Sequence, residues 1–554
     1  MKRTRRIELT LAISLLTAAW LAPRAAADVT LPAIFSDHMV LQADATVPVW
    51  GWAEPGEEVT VEFADHKETT KANAEGKWMV KLPPMHTSAE PRDLVVSGNP
   101  KSTIHSLKFA DVLVGEVWLG SGQSNMAMMV NRARDFEREK AAANLPKIRH
   151  FRETSVASQT PQEKCKGTWE LCSPETVGGF SATAYFFGRE LHRKLGVPVG
   201  LINSSVGGTP VESWTSLSAQ KDLAELKPLF ESWEKRQAVW DPEKAKAAYE
   251  KQLAAHKEAV AKAKADGSKP PRPLRAPIEP RLDPWNPGNL FNGKIAPLVP
   301  YAIRGAIWYQ GEANAGQGHL YHLQLSTLVK DWRARWGEGD FPFAWVQLPN
   351  FHAAQKEPVE DTGWVLVREG MLQTLELPHT GMAVTTDIGE ADNIHPQNKQ
   401  EAGKRLAMWA LADVYKQKGV ASCGPIACGH KINGSEVTIT FKHADGGLVV
   451  KIGESLVTPR ADSPTVWPEG LGGFGTIRGF AVAGEDKQWH RAVAKIVGNT
   501  VIVASPEVKQ PVAVRYAWAD NPDCNLFNRA GIPASPFRTD DWPVAAPQKV
   551  KQRR

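Results

Sequence analysis

The sequence predicts a three-layer α/β/α protein built on a parallel sheet, with a β-sandwich unit at each end. Two features predict it. Between residues 111 and 418, short apolar strands alternate with helical stretches, which is the pattern of strands buried on both faces. On either side of that span the chain turns to alternating, β-branched and aromatic runs broken by turns. At 554 residues the chain exceeds what one core organises, so several domains are expected.

Residues 1–27 read as an export signal. Lys2, Arg3, Arg5 and Arg6 form a basic start, Leu9 to Leu21 an apolar run, and Ala25-Ala26-Ala27 a small-residue cleavage site. The run is short for a membrane span, and no other stretch reaches about 18 apolar residues. The expectation is an exported protein, secreted or periplasmic, with no stable membrane insertion after cleavage. Residues 28–110 form the first β unit, with strands in Val47–Ala53, Glu57–Phe63 and Gly76–Leu82.

From Asp111 the α/β rhythm begins. The first strand runs through Val112 to Leu119. Others lie in Val197–Asn203, Gly305–Gln310, Phe341–Leu348 and Gly381–Thr386, with helices over Ala182–Leu195, Tyr321–Trp336 and Gln397–Lys416. An Ala-, Lys- and Glu-rich insertion at about 219–280 reads as a helical hairpin. Asp241-Pro242 is a good cap and first turn there, and Gly267 a good stop. Residues 419–545 return to strands and form the second β unit, and 546–554 are a basic tail.

Charge excludes one class of partner. The formal net charge is +5, but residues 1–27 carry five Lys/Arg against one Glu, and the tail adds four more positives. The body between them is slightly acidic and offers no footprint for nucleic acid. Five cysteines allow two short-range disulfides, Cys165 with Cys172 and Cys423 with Cys428, leaving Cys524 over. The alternative is five buried thiols. Neither pair is C-x-x-C, which argues against zinc ribbons and thioredoxin chemistry.

In open parallel sheets, ligands bind at the carboxyl ends of the strands. After the first strand comes Gly122-Gln123-Ser124-Asn125. After the second comes "SSVGGTPVESW" with Gly207 and Gly208, and after the third "QGEAN", Gln310 to Asn314. Past the last, beyond Asp387, comes "ADNIHP" with Asp392 and His395. Singly, these are a helix cap, a loop, loop-bonding amides and a surface histidine. At one sheet edge together they are a reaction centre. A serine hydroxyl needs an imidazole to take its proton, and the imidazole needs an acid to fix its tautomer. The Ser124 and Gly208 N–H groups and a side-chain amide would hold an oxyanion, each such donor being worth about 2.7–4 kcal/mol of barrier. His319 and His322 form an H-x-x-H without a carboxylate in zinc-ligand spacing, so no metal or other cofactor is expected.

The runs "GSGQSNM", "INSSVGGTPVESWTS", "RGAIWYQGEANA" and "DIGEADNIHPQNKQEAGKRLA" resemble the successive blocks of the sialate O-acetylesterase family. This is a branch of the SGNH hydrolases related to family 6 acetylxylan esterases. The likeness spans residues 30 to 542, including "PVAVRYAWADNP" and "GIPASPFRTDDWP". It implies the SGNH-hydrolase, flavodoxin-like fold, with Ser124 as nucleophile, His395 as general base and Asp392 as its acid. Gly208 matches the oxyanion glycine. The oxyanion amide carries over to Gln310, with Asn314 second. Gln123 and Asn125 would support the site, and Glu312 would hold the loop through backbone or Arg contacts. Val206 stands where similar proteins often have an aromatic.

The implied activity is carbohydrate O-acetyl ester hydrolysis, first on acetylated sialic acid. Acetylxylan or another acetylated polysaccharide is the alternative substrate, and a non-catalytic glycan-binding protein the alternative class. Loops around Asn292, Trp308, Asn350 and Trp364, with the helical insertion, are the expected sugar contacts.

Overall fold

The computed structural model describes residues 29–98, 106–271, 273–458 and 477–544. The expected signal segment 1–27 and the basic tail 546–554 lie outside them. Seven strands form the central sheet: β1 (Ser106–Gly122), β2 (Leu145–Arg152), β3 (Trp169–Cys172), β4 (Val199–Ser205), β5 (Gly305–Tyr309), β6 (Phe343–Val346) and β7 (Thr380–Ala383). Their spatial order is β3-β2-β4-β1-β5-β6-β7, all parallel except the antiparallel edge strand β3. The five strands foreseen from sequence take the flavodoxin-like order, second-first-third-fourth-fifth. The hairpin β2–β3 is an unforeseen addition at one edge.

Strand alternation builds two cores. Trp118, Ile307, Tyr309, Ala344 and Val346 face one side, packed with Tyr185, Phe186, Phe187, Leu406 and Trp409. Val117, Leu119, Ala306, Trp308, Phe343 and Trp345 face the other, packed with Leu325, Leu328, Trp332, Val367 and Met371. Successive residues of a strand point to opposite faces, so a parallel strand covered by helices on both sides must be apolar throughout.

The covering helices are α1 (Ala182–Leu195), α2 (Tyr321–Trp336), α3 (Gly363–Gln373) and α4 (Lys399–Trp409). Ser181 caps α1 by accepting from the Ala184 N–H, and Asn398 caps α4 by accepting from the Glu401 N–H. Each cap is worth about 1 kcal/mol. Both α1 and α2 occupy the expected spans. The helix expected over Gln397–Lys416 is regular only to Trp409 and then widens into a π-turn over Ala410–Val414. The insertion forms two helices, Lys227–Ala238 and Pro242–Asp266, the second capped by Asp241 and stopped at Gly267 in the left-handed region.

The first β unit is continuous with the sheet. The outer half of β1 pairs antiparallel with Ser88–Ser97, and its inner half pairs parallel with Val40–Gln42, β4 and β5. The boundary expected at 110/111 therefore falls inside one strand. The second β unit has a core around Val437, Ile439, Phe480, Val482, Tyr516 and Phe537. Arg368 on α3 ties it down, donating to the carbonyls of Leu348, Pro349, Ala519 and Asp520.

All five cysteines are free thiols. This corrects the disulfide expectation. The Cys172 thiol donates to the Ala143 carbonyl and the Cys423 thiol to the Met382 carbonyl, each within a core rather than toward its near neighbour. Burial pushes Cys165, Cys172, Cys423 and Cys524 up to about 12. The alternative of five buried thiols also fails, because Cys428 is exposed and Cys524 is only partly buried.

Candidate active site

The carboxyl end of β1 stops at Gly122, where φ is +135°. A Cβ there would lie 2.3 Å from the Tyr309 carbonyl oxygen on β5, so only glycine fits the close strand pairing and the turn that follows. The Gln123 N–H donates to that same carbonyl at 3.0 Å. Ser124 then opens a single helical turn, Ser124–Ala127, at the sheet edge.

The Ser124 hydroxyl and His395 Nε2 are 2.8 Å apart, although 271 residues separate them in sequence. On the other flank, a Cβ on Gly207 would lie 3.5 Å from the Ser124 Cβ, and Gly208 has φ of +71°. The main-chain N–H groups of Ser124 and Gly208 have no acceptor among the described residues. A hydroxyl bonded to an imidazole, beside unpaired N–H donors, is the arrangement that acyl transfer requires.

A buried clamp holds the histidine loop to the serine turn. The Asn125 amide donates to Glu312 Oε1 at 2.5 Å and to the Ile394 carbonyl at 3.0 Å. The Lys399 ammonium donates to Asn125 Oδ1 at 2.8 Å and to the Pro396 carbonyl at 2.6 Å. The carbonyls on both sides of His395 are thus held by two side chains, Asn125 and Lys399, with Glu312 anchoring Asn125. Burial drives Lys399 down to about 7 and pushes the Glu312 carboxyl up. Sequence reading placed Asn125 and Glu312 near the site but missed Lys399, whose side-chain partner Asn125 lies 274 residues away. The contact holding Glu312 is the Asn125 amide, not an arginine.

Other expected residues are placed differently. Gln310 is buried, with its amide donating to the Thr209 carbonyl and Asn314 Oδ1 while its Oε1 accepts from the Tyr321 hydroxyl. Asn314 donates to Glu212 and Gln324 and accepts from the Val211 N–H. These two amides lock the "QGEAN" loop to the glycine loop, and neither has a donor left for an oxyanion in this arrangement. Gln123, adjacent to the serine, accepts from the Ala313 N–H through Oε1. Asp392 is exposed on the loop of His395, and no hydrogen bond or ion pair joins it to the imidazole among the described residues. The neighbouring Asn393 turns inward instead, accepting from the His395 N–H and donating to Glu390.

Of the expected sugar contacts, Trp308 and Trp364 are buried core. Asn292 bonds the Ser158 and Gln159 carbonyls, and Asn350 bonds Asn521 and the Gly389 N–H. All four are structural. The aromatic beside the centre is Trp285, 40% exposed, with its ring edge 4.0 Å from where a Gly208 Cβ would stand. Local sequence gave no sign of it, because the proline-rich return after the insertion brings it there.

The described residues hold no group of three His, Cys, Asp or Glu side chains able to bind a metal ion. None of the helices within them is long and apolar enough to cross a membrane.

The strand order and the arrangement at its carboxyl edge define an SGNH-type carboxylic-ester hydrolase. Residues 285–412, which hold Gln310 to Asn314, Asp392 and His395, match the family described as "Carbohydrate esterase, sialic acid-specific acetylesterase". A carbohydrate acetylesterase from Xanthomonas citri, known as a crystal structure, is 34% identical. That match covers 93% of this chain and 100% of the other, with a TM-score of 0.74. The sialate O-acetylesterase of Mus musculus is 28% identical over 545 residues, 90% of this chain and 92% of the mouse protein. That of Homo sapiens is 29% identical over 428 residues, 71% and 72% of the two chains. The chain belongs to the carbohydrate acetylesterases.

Proposed function

We propose that this carbohydrate O-acetylesterase acts on acetylated sialic acid through an acetyl-enzyme on Ser124, and that it does so after export from the cell. The observation carrying the mechanism is the 2.8 Å contact between the Ser124 hydroxyl and His395 Nε2 at the sheet edge. Ser124 Oγ attacks the acetyl carbonyl while its proton passes to His395 Nε2. The Ser124 and Gly208 N–H groups hold the oxyanion. The tetrahedral intermediate collapses, the bond to the sugar oxygen breaks, and His395 returns the proton to that oxygen. Water then attacks the acetyl ester with His395 again as base, and acetate leaves as the serine recovers its proton. Asp392, exposed three residues before His395, has to turn inward from this arrangement to serve as the acid of the imidazolium.

The sialate preference is supported by the naming of the mouse and human relatives. Export is supported by the basic, apolar and small-residue order of residues 1–27. The test is acetate release by purified residues 28–554 from acetylated sialic acid and acetylated xylan side by side, with Ser124→Ala as blank. Faster release from sialic acid is expected. Faster release from xylan keeps the chemistry and refutes the preference, and release no higher than the Ser124→Ala blank refutes the mechanism.

A further inference from the structure

A second polar cleft opens at the same edge of the sheet. It has a volume of about 260 Å³ and is lined by Ala127, Met129, Arg152, Thr154, Asn203 and Ser205. Ala127 ends the helical turn that Ser124 opens, Met129 lies two residues further on, and Ser205 pairs in register with Gly122. The cleft therefore adjoins the reaction centre. Arg152 ends β2 opposite Asn203 on β4, and Asn203 in turn pairs with Gly120 on β1. Two interstrand spacings, about 10 Å, separate the Arg152 strand from the nucleophile strand.

The charge in this cleft is uncompensated. The carboxylate that also lines the cleft, Glu153, is buried and already held by the Lys294 ammonium and the Ser155 N–H. Arg152 is exposed, and its guanidinium has no ion-pair or hydrogen-bond partner among the described residues. Other arginines of the catalytic layer are committed: Arg149 to Asp111, Arg189 to Glu139, Arg304 to Glu116 and Arg405 to Asp387. A planar cation left free in a polar cleft is suited to bidentate recognition of a carboxylate.

We propose that Arg152 reads the carboxylate of an acidic sugar whose acetyl ester is seated at Ser124, an inference that rests on the carbohydrate esterase reading above. The cleft lies about one monosaccharide from the nucleophile. A nonulosonic acid acetylated on its exocyclic chain carries the carboxylate across the ring oxygen from that chain, and a uronic acid acetylated on a ring hydroxyl carries it on the exocyclic carbon. Either places the acid one sugar's reach from the ester, where Arg152 stands. Thr154 and Asn203 line the walls between and face the ring hydroxyls.

The same carboxylate chemistry occurs in nonulosonic and in uronic acids, and the test separates them. For each of O-acetyl-N-acetylneuraminic acid and O-acetyl-glucuronic acid, kcat/KM is compared between the free acid and its methyl ester, which lacks the charge. The wild-type enzyme is expected to favour the free acid at least tenfold in one of the two sugars, which names the source. In Arg152→Gln that ratio is expected to collapse to within twofold of one through a rise in KM, and Arg152→Lys should restore part of it. Circular dichroism confirms that the variants fold. An acid-to-ester ratio unchanged in Arg152→Gln, or a wild-type enzyme indifferent to esterification, overturns the role of Arg152 alone. Turnover of acetylated neutral sugars with none of either acid overturns the sialate preference and this proposal together.

Discussion

Gly122→Ala should inactivate the enzyme without touching a reacting atom. The added Cβ would lie 2.3 Å from the Tyr309 carbonyl oxygen and 2.7 Å from its carbon, where Cβ contacts under 3.0 Å are essentially never tolerated. Relieving that contact moves the end of β1 away from β5 by roughly 1 Å. The φ of +135° adds a conformational cost of about 1–3 kcal/mol for alanine. The Gln123 N–H to Tyr309 carbonyl bond is lost in the same movement. Ser124 lies two residues on, so its 2.8 Å contact with His395 opens beyond hydrogen-bond reach. A misplacement of about 1 Å costs on the order of 100-fold in rate, or about 2.7 kcal/mol of barrier. The assay is kcat/KM for 4-nitrophenyl acetate, with Gly429→Ala as comparison, because a Cβ there meets nothing within 4 Å. A Gly122→Ala rate within tenfold of wild type refutes the reasoning that this glycine sets the position of the nucleophile.

Three further outcomes follow from the buried groups. Asn125→Ala leaves Glu312, Lys399 and the Ile394 carbonyl each short of a partner, so a loss of about 3–5 kcal/mol in stability and a fall in kcat are expected by urea unfolding and initial rates. Lys399 sits near 7 in the folded protein against 10.5 for the free side chain. Between those values the unfolded chain binds the extra proton, so stability rises with pH from 7 toward 10.5. Lys399→Met should flatten that rise, by about 2–3 kcal/mol between pH 7 and 9 in urea titrations. Iodoacetamide at neutral pH should label Cys428 alone, since burial holds the other four thiols protonated. Two or more labels by intact mass contradict the thiol placement.

What the sequence reveals depends on how local the determining forces are. The helices over Ala182–Leu195 and Tyr321–Trp336 are legible because their ends carry Ser181, Gly196 and Gly337, whose caps act within a few residues. The serine, the glycine pair and the histidine are legible because each follows an apolar strand that must be buried. The hairpin β2–β3 escapes, since Pro146, Lys147 and Arg149 break the apolar pattern of β2. Gln310 is misread because nothing nearby in the chain shows that Thr209 and Tyr321 engage its amide. Trp308 and Trp285 have the same side chain, and only the tertiary fold makes one core and the other the rim of the site. Lys399 and Arg152 are likewise indistinguishable from solvated charges until their neighbours are known.

The most direct test of the central claim, that Ser124 is the nucleophile activated by His395, is covalent trapping. The enzyme would be treated with a fluorophosphonate, and the adduct located by peptide mass spectrometry with and without acetylated sugar present. One adduct on Ser124, suppressed by the sugar and slowed at least 100-fold in His395→Ala, is the expected result. An adduct on another serine, or labelling of Ser124 at an unchanged rate in His395→Ala, would contradict it.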